Sequence, residues 1–231
     1  MSFDDHVTTA HIHTLFAEEI HAAGGKVSDT FDDGRRLFVR SILPALTEVR
    51  PGDRVQGGVA LRACEGQVWV HPYVFRQVCS NGAIVAHAVQ SRHLADLDVR
   101  PAEEADEAVR EVVRCCCAAE AFTTAAAEMR SAGSSEIDAV LTLMPFLARH
   151  GGAHTSRLLA EILGRFFGDG DQSRFGLMNA VTSQARDTSD PELRWRLEEF
   201  GGGVPVLRAP DRPSGQARRV VQRELVGARD A

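Results

Sequence analysis

The sequence predicts an α+β fold: an antiparallel β-sheet over about residues 35–100 packed with a helix-rich C-terminal half. Three observations predict it. Val55, Gly57, Val59, Leu61 and Ala63 alternate with Gln56, Gly58, Ala60, Arg62 and Cys64, the period-two signature of a strand with one buried face. Glu65-Gly66 then supplies a hairpin turn, and Val68-Trp69-Val70 returns as the partner strand. After Pro101 the texture changes to alanine and charge, and Val109, Val112, Cys116, Ala119, Phe122, Ala126 and Met129 recur every three or four residues, as on one face of a helix. At 231 residues and 44% hydrophobic, the chain can bury one large core. Residues 1–200 read as a single domain, with an N-terminal helix (1–24), the β-rich part (35–100) and a helical part (101–200). Residues 201–231 read as a Gly/Pro linker and a short basic C-terminal helix.

Element by element, Val7, Ile12, Leu15, Phe16 and Ile20 lie near helical spacing, and Gly24-Gly25 ends that helix. Leu37 to Ile42 forms a short strand-like run closed by Pro44, and Pro51-Gly52-Asp53 is turn chemistry. Gly57-Gly58 inside a strand marks a bulge or a close approach to the backbone. Pro72 to Cys79 reads as a short helix with proline at its first position. Ser80-Asn81-Gly82 stops it, and Ala83 to Gln90 resumes strand-like alternation. One long helix then runs to Gly133. Ser134 or Ser135 caps the next, which Pro145 kinks, and Thr155–Phe167, Phe175–Ala185 and Glu192–Phe200 follow, the last opened by Asp190-Pro191.

No basic leader followed by a long apolar run opens the sequence, and no stretch reaches about 18 uninterrupted apolar residues, so a cytoplasmic location and no membrane partner are expected. Five cysteines, three of them consecutive at Cys115, Cys116 and Cys117, make no disulfide framework and read as free thiols. The net charge of −6 argues against a surface that binds nucleic acid all over. Charge is uneven, however: residues 101–200 hold 10 Arg against 17 acidic residues, and residues 201–231 hold 6 Arg against 3. Lys26 is the only lysine, so the basic set is almost wholly arginine, the residue suited to bidentate phosphate or carboxylate recognition.

The most informative local cluster is Arg76-Gln77-Val78-Cys79-Ser80-Asn81-Gly82. An arginine, a small thiol and an Asn-Gly turn together suit a pocket for an anionic or polar group. The plainer alternative has Asn81-Gly82 as a positive-φ turn, Cys79 in the core and Arg76 paired with an acidic neighbour. Arg92-His93 adds a second basic group, and Arg218-Arg219 adds a basic tail. His71, His87, His93 and Cys79 fit no usual metal-ligand spacing, so no metal and no cofactor are expected. No catalytic residue is assigned.

Two segments resemble the phage/plasmid-like family known as domain of unknown function 932. The first runs from Ala60-Leu61-Arg62-Ala63 through Val70-His71-Pro72-Tyr73-Val74-Phe75-Arg76-Gln77-Val78-Cys79-Ser80-Asn81-Gly82-Ala83 to Arg92-His93; Ser80 stands where the family usually has threonine. The second is Met178-Asn179-Ala180-Val181-Thr182 with Arg186 and Leu197-Glu198-Glu199-Phe200-Gly201-Gly202. The resemblance implies a mobile-element context and adds Arg62, Asn179 and Arg186 to the candidate residues. Together with the arginine set it gives the expectation of a nucleic-acid-handling protein, binding single strands in recombination or replication as a homo-oligomer. The alternative is a noncatalytic protein whose acidic helical half docks a partner protein.

Overall fold

The computed structural model describes residues 8–78 and 80–207. Seven strands form one sheet: β1 Lys26–Asp32, β2 Arg36–Ile42, β3 Leu46–Arg50, β4 Asp53–Cys64, β5 Gln67–Arg76, β6 Asn81–Ile84 and β7 Arg92–Leu94. The order is β1-β2-β4-β5-β6, all antiparallel, with β3 beside the start of β4 and β7 beside the start of β5. The expected β4–β5 hairpin is its centre, with Glu65 and Gly66 both at positive φ in the turn. Seven α-helices surround the sheet: α1 Thr9–Ala22, α2 Ala102–Cys116, α3 Ala119–Ala132, α4 Ala139–His150, α5 Thr155–Gly168, α6 Arg174–Arg186 and α7 Pro191–Gly203. The chain is therefore α+β with a helix-rich C-terminal half.

Strand alternation sends each sheet face to a different partner. Leu37, Val39, Val59, Leu61, Ala63, Val68 and Val70 are buried with Ile12, Leu15, Phe16 and Ile20 of α1 and Val109, Val112 and Val113 of α2. The opposite face carries Phe38, Ala60 and Tyr73 with Trp195 of α7. Val55, Val74 and Ala83 join the main helical core formed by α3 to α7. Val55, Val59 and Leu61 thus face helices, as the period-two pattern requires.

Several elements depart from the sequence expectation. Pro72 does not open a helix; β5 runs straight through it. It falls between the residues paired to β7 (Val68–Val70) and those paired to β6 (Tyr73–Arg76), where that edge needs no ladder donor from it. The strand after Asn81 stops at Ile84, and the edge strands β1, β3 and β7, polar or very short, carry no clear alternation. The long helix is two, because Ala118 is extended (φ −59°, ψ 131°). The break lets α2 pack on α1 while α3 turns onto β3 and β5. The cap of α4 is Asp138, not Ser134 or Ser135. Gly201-Gly202-Gly203 is no linker but the last turn of α7: a Cβ on Gly202 would stand 2.0 Å from the Ile84 carbonyl oxygen, so helix and β6 touch backbone to backbone. Gly58 plays the same part, since a Cβ there would lie 2.0 Å from the Ser41 oxygen; this is the close approach that Gly57-Gly58 announces.

Candidate functional site: an arginine-lined pocket

On the α7 side of the sheet, four strands and two helices converge on a pocket of about 270 Å³. Arg40 of β2 and Glu198 of α7 are its deepest charges, their side chains 3% and 2% exposed. Arg40 follows the apolar run Leu37-Phe38-Val39. Its Nε donates to Glu198 Oε2 at 2.6 Å and its Nη1 to Asp29 Oδ2 at 3.2 Å. Arg194, one helical turn before Glu198, repeats both contacts: its Nε donates to Glu198 Oε1 at 3.2 Å, and its Nη2 lies 2.9 Å from Asp29 Oδ2. Burial pushes the Glu198 carboxyl up, with Arg40 and Arg194 opposing it. Desolvation also works against the charged Arg40, yet the neighbouring Glu198 charge carries its pKa above the ordinary arginine value. An arginine keeps its proton at any ordinary pH, so the site holds a buried, ionised network.

Asn81 enters from β6. Its Nδ2 donates to Thr182 Oγ1 at 2.6 Å and to the Asn179 carbonyl at 3.5 Å, which ties β6 to α6. Tyr73 and Phe75 of β5 give the pocket aromatic walls, and Ser28, Ser80 and Arg186 complete the rim. The Tyr73 ring crosses the space above Gly82, where any Cβ would overlap the hydroxyl; the Asn-Gly pair therefore serves packing, and Ser80 at φ 51° makes the positive-φ turn. Burial raises the Tyr73 hydroxyl far above its usual range, so it stays protonated. Three guanidiniums and two carboxylates line the pocket, and Arg186 also holds Asp187 at 2.9 Å. Among the described residues, Arg40 Nη2 and Asn81 Oδ1 are buried without a hydrogen-bond partner, a costly state for atoms of this kind.

A second cavity of about 240 Å³ opens beside the α2–α3 break, lined by Pro44, Pro72, Cys116, Cys117 and Phe122 among others. Burial pushes the Cys117 thiol up to about 11 and raises Cys116 further. Neither is a nucleophile at neutral pH, and among the described residues no arginine or carboxylate lines this cavity. Among the described residues no group of three or more His, Cys, Asp or Glu is placed to hold a metal ion. The arginine-lined pocket is the site with chemistry.

The family model for a domain of unknown function, DUF932, matches residues 9–219. The chain belongs to that family. In this DUF932 chain the match takes in every strand and helix described above and every residue of the pocket. No curated protein and no solved structure matches the chain.

Of the residues singled out in the sequence, Asn81 and Arg186 line the pocket, and Asn179 lies behind it, receiving the Asn81 amide. Arg76 is held elsewhere, its Nε donating to both oxygens of Asp53 at 2.8 and 2.9 Å, with its guanidinium 5.7 Å from the Phe175 ring centre. Arg62 lies within 3.0 Å of Glu192 and 4.6 Å from the Trp69 ring. His93 stacks on that ring at 4.7 Å. Arg62, Trp69 and His93 are cross-strand neighbours, so both faces of Trp69 are covered and it is no open platform for a base. Arg92 pairs opposite Val70, six residues down β5 from Arg76, about 20 Å at the usual strand rise, so the two do not share one groove. Cys79, Arg218 and Arg219 lie outside the described residues. Arg40, Arg194 and Asp29 escaped the sequence reading, and Tyr73 and Glu198 stood in the resembling segments without being singled out as site residues. Arg40 carried a signal: a charge inside Leu-Phe-Val-Arg-Ser-Ile requires a buried partner. Glu198 is the one it found, 158 residues away.

Proposed function

We propose that this protein handles nucleic acid by gripping a single strand at the Arg40–Arg194 pocket, in the service of a phage- or plasmid-type mobile element, and that it works by binding. One observation carries the proposal: Arg40, almost wholly buried, lines a polar pocket with one guanidinium nitrogen unpartnered. A phosphate oxygen is a natural acceptor for it, because guanidinium–phosphate hydrogen bonds are charge-assisted and directional. The Tyr73 and Phe75 rings offer a base its apolar contact. Recombination or replication is the setting in which a single strand is presented, and a homo-oligomer would line up several pockets along it. The absence of any helix long and apolar enough to cross a membrane, among the described residues, agrees with such a partner.

The test is a salt titration of oligonucleotide binding. Single-strand affinity is expected to fall with salt with a log–log slope of about −0.7 per phosphate contact, and Arg194→Gln to reduce the slope by about one contact. Arg194 is chosen because it is partly exposed and its loss leaves the Arg40–Glu198 pair intact. No binding at low salt by the wild type would end the proposal. The second reading, docking of a partner protein by the acidic helical half, would then take first place, favoured by the exposed Val140, Leu141 and Met144 of α4.

A further inference from the structure

The pocket leaves two buried atoms unpartnered among the described residues, and they are of opposite kinds: Arg40 Nη2 is a donor and Asn81 Oδ1 an acceptor. A bare phosphate answers only the first. Resting on the proposal above, we propose that the pocket takes one nucleotide unit of the strand and selects a base that carries an exocyclic amino group, adenine or cytosine over thymine.

Asn81 decides this by what it has left to offer. In general an asparagine amide can pair with thymine by giving an N–H and taking one. Here the Asn81 amide hydrogens are engaged by Thr182 Oγ1 and the Asn179 carbonyl, so only the oxygen is left to read a ligand. That orientation of the amide is fixed by its surroundings, because the Asn179 carbonyl can only accept. An amino group of adenine or cytosine projects a donor clear of the ring and can satisfy the oxygen. The N3–H of thymine lies between two carbonyls, which would crowd the same acceptor oxygen. The size fits a single unit: about 270 Å³ lies near the lower end of small-ligand pockets.

The experiment compares short dA, dC and dT homo-oligomers on the full chain at one low salt concentration, followed by titration calorimetry. One satisfied buried acceptor corresponds to a preference of up to about tenfold, and dA and dC are expected to bind tighter than dT by that order. Asn81→Leu is expected to abolish the preference. Because Asn81 also braces α6, the Tm of Asn81→Leu is read beside its affinities, and Thr182→Val, which frees the Asn81 N–H held by Thr182 Oγ1, is expected to narrow the preference by tightening dT binding. Equal affinity for the three oligomers overturns the inference and leaves strand binding standing. Loss of preference in Thr182→Val through weaker dA and dC binding, with dT no tighter, also overturns it, since packing would then be the cause. Binding of none of the oligomers overturns both the inference and the proposed function.

Discussion

The two faces of the sheet are built on different physics. Against α1 and α2, Leu37, Val39, Val59, Leu61, Val68 and Val70 bury hydrocarbon on hydrocarbon, an interaction that is non-directional and scales with area. Against α7 the sheet presents Phe38, Arg40, Arg62, Trp69, His71 and Tyr73, and the helix answers with Trp195, Arg194 and Glu198. There, each group needs a particular partner at a particular distance. The first face holds the molecule together. The second holds a pocket, and among the described residues it tolerates four unsatisfied buried atoms, Arg40 Nη2, Arg62 Nε, His71 Nδ1 and Asn81 Oδ1. A buried ion pair is weak support for stability, because desolvation of both charges offsets their attraction; Arg40–Glu198 is better understood as fixing where α7 sits on the sheet. The difference teaches that on this fold the costly face is the place to look for function.

Cutting the ionic network on the second face should have the largest effect. Glu198→Leu strands the buried Arg40 charge, and a loss of about 3 to 5 kcal/mol in urea unfolding is expected. The double change Arg40→Leu, Glu198→Leu should recover most of it while abolishing strand binding. A single variant no less stable than the wild type would mean that the network is not buried as described.

On the first face Leu61→Ala should cost about 3 kcal/mol, the transfer term plus the cavity, and the loss should be the same at pH 5 and pH 8, because the titratable groups of that cluster are the thiols of Cys116 and Cys117, both raised by burial. Parallel unfolding curves at the two pH values would check it; a loss that varied with pH would blur the distinction between the faces.

The smallest effect sharpens the contrast. His71 lies on the second face, its ring 5.9 Å from that of Trp195, and its Nδ1 has no partner among the described residues. Desolvation first, and the His93 charge second, lower its pKa from 6.5 to about 4. The folded state therefore holds His71 neutral where the unfolded chain would protonate it. Stability from this group is full above pH 6.5, falls between 6.5 and 4, and is flat below, a swing of roughly 3 kcal/mol at most. His71→Leu should remove that part of the acid sensitivity, read as a shallower decline of Tm between pH 6.5 and 4. An unchanged decline would assign the sensitivity to other groups.

How much of this was legible beforehand follows from the range of each interaction. The β4–β5 hairpin, the Asp190-Pro191 start of α7 and the helices around Leu158, Ile162 and Phe175 are local facts, set by alternation, turn chemistry and caps within a few residues. The edge strands β1, β3 and β7 were not legible, because a short polar strand gains its conformation from the neighbour it pairs with. Pro72 and Gly201-Gly202-Gly203 misled for the same reason. A gap in an edge excuses the missing donor of the first, and contact with β6 selects the absent side chain of the second. At the site, Asn81 and Arg186 stood out in the sequence, yet Arg76, the most prominent arginine, turned inward to Asp53. The sequence by itself determined the α+β class, the central hairpin and the helical half, since these depend on periodicity and on backbone preferences over a few residues. Only the tertiary structure decided which charges meet. Asp29, Arg40 and Glu198 share one network across 158 residues between Arg40 and Glu198, because chain reversal and burial bring them together, and no local pattern encodes the partner of a buried charge.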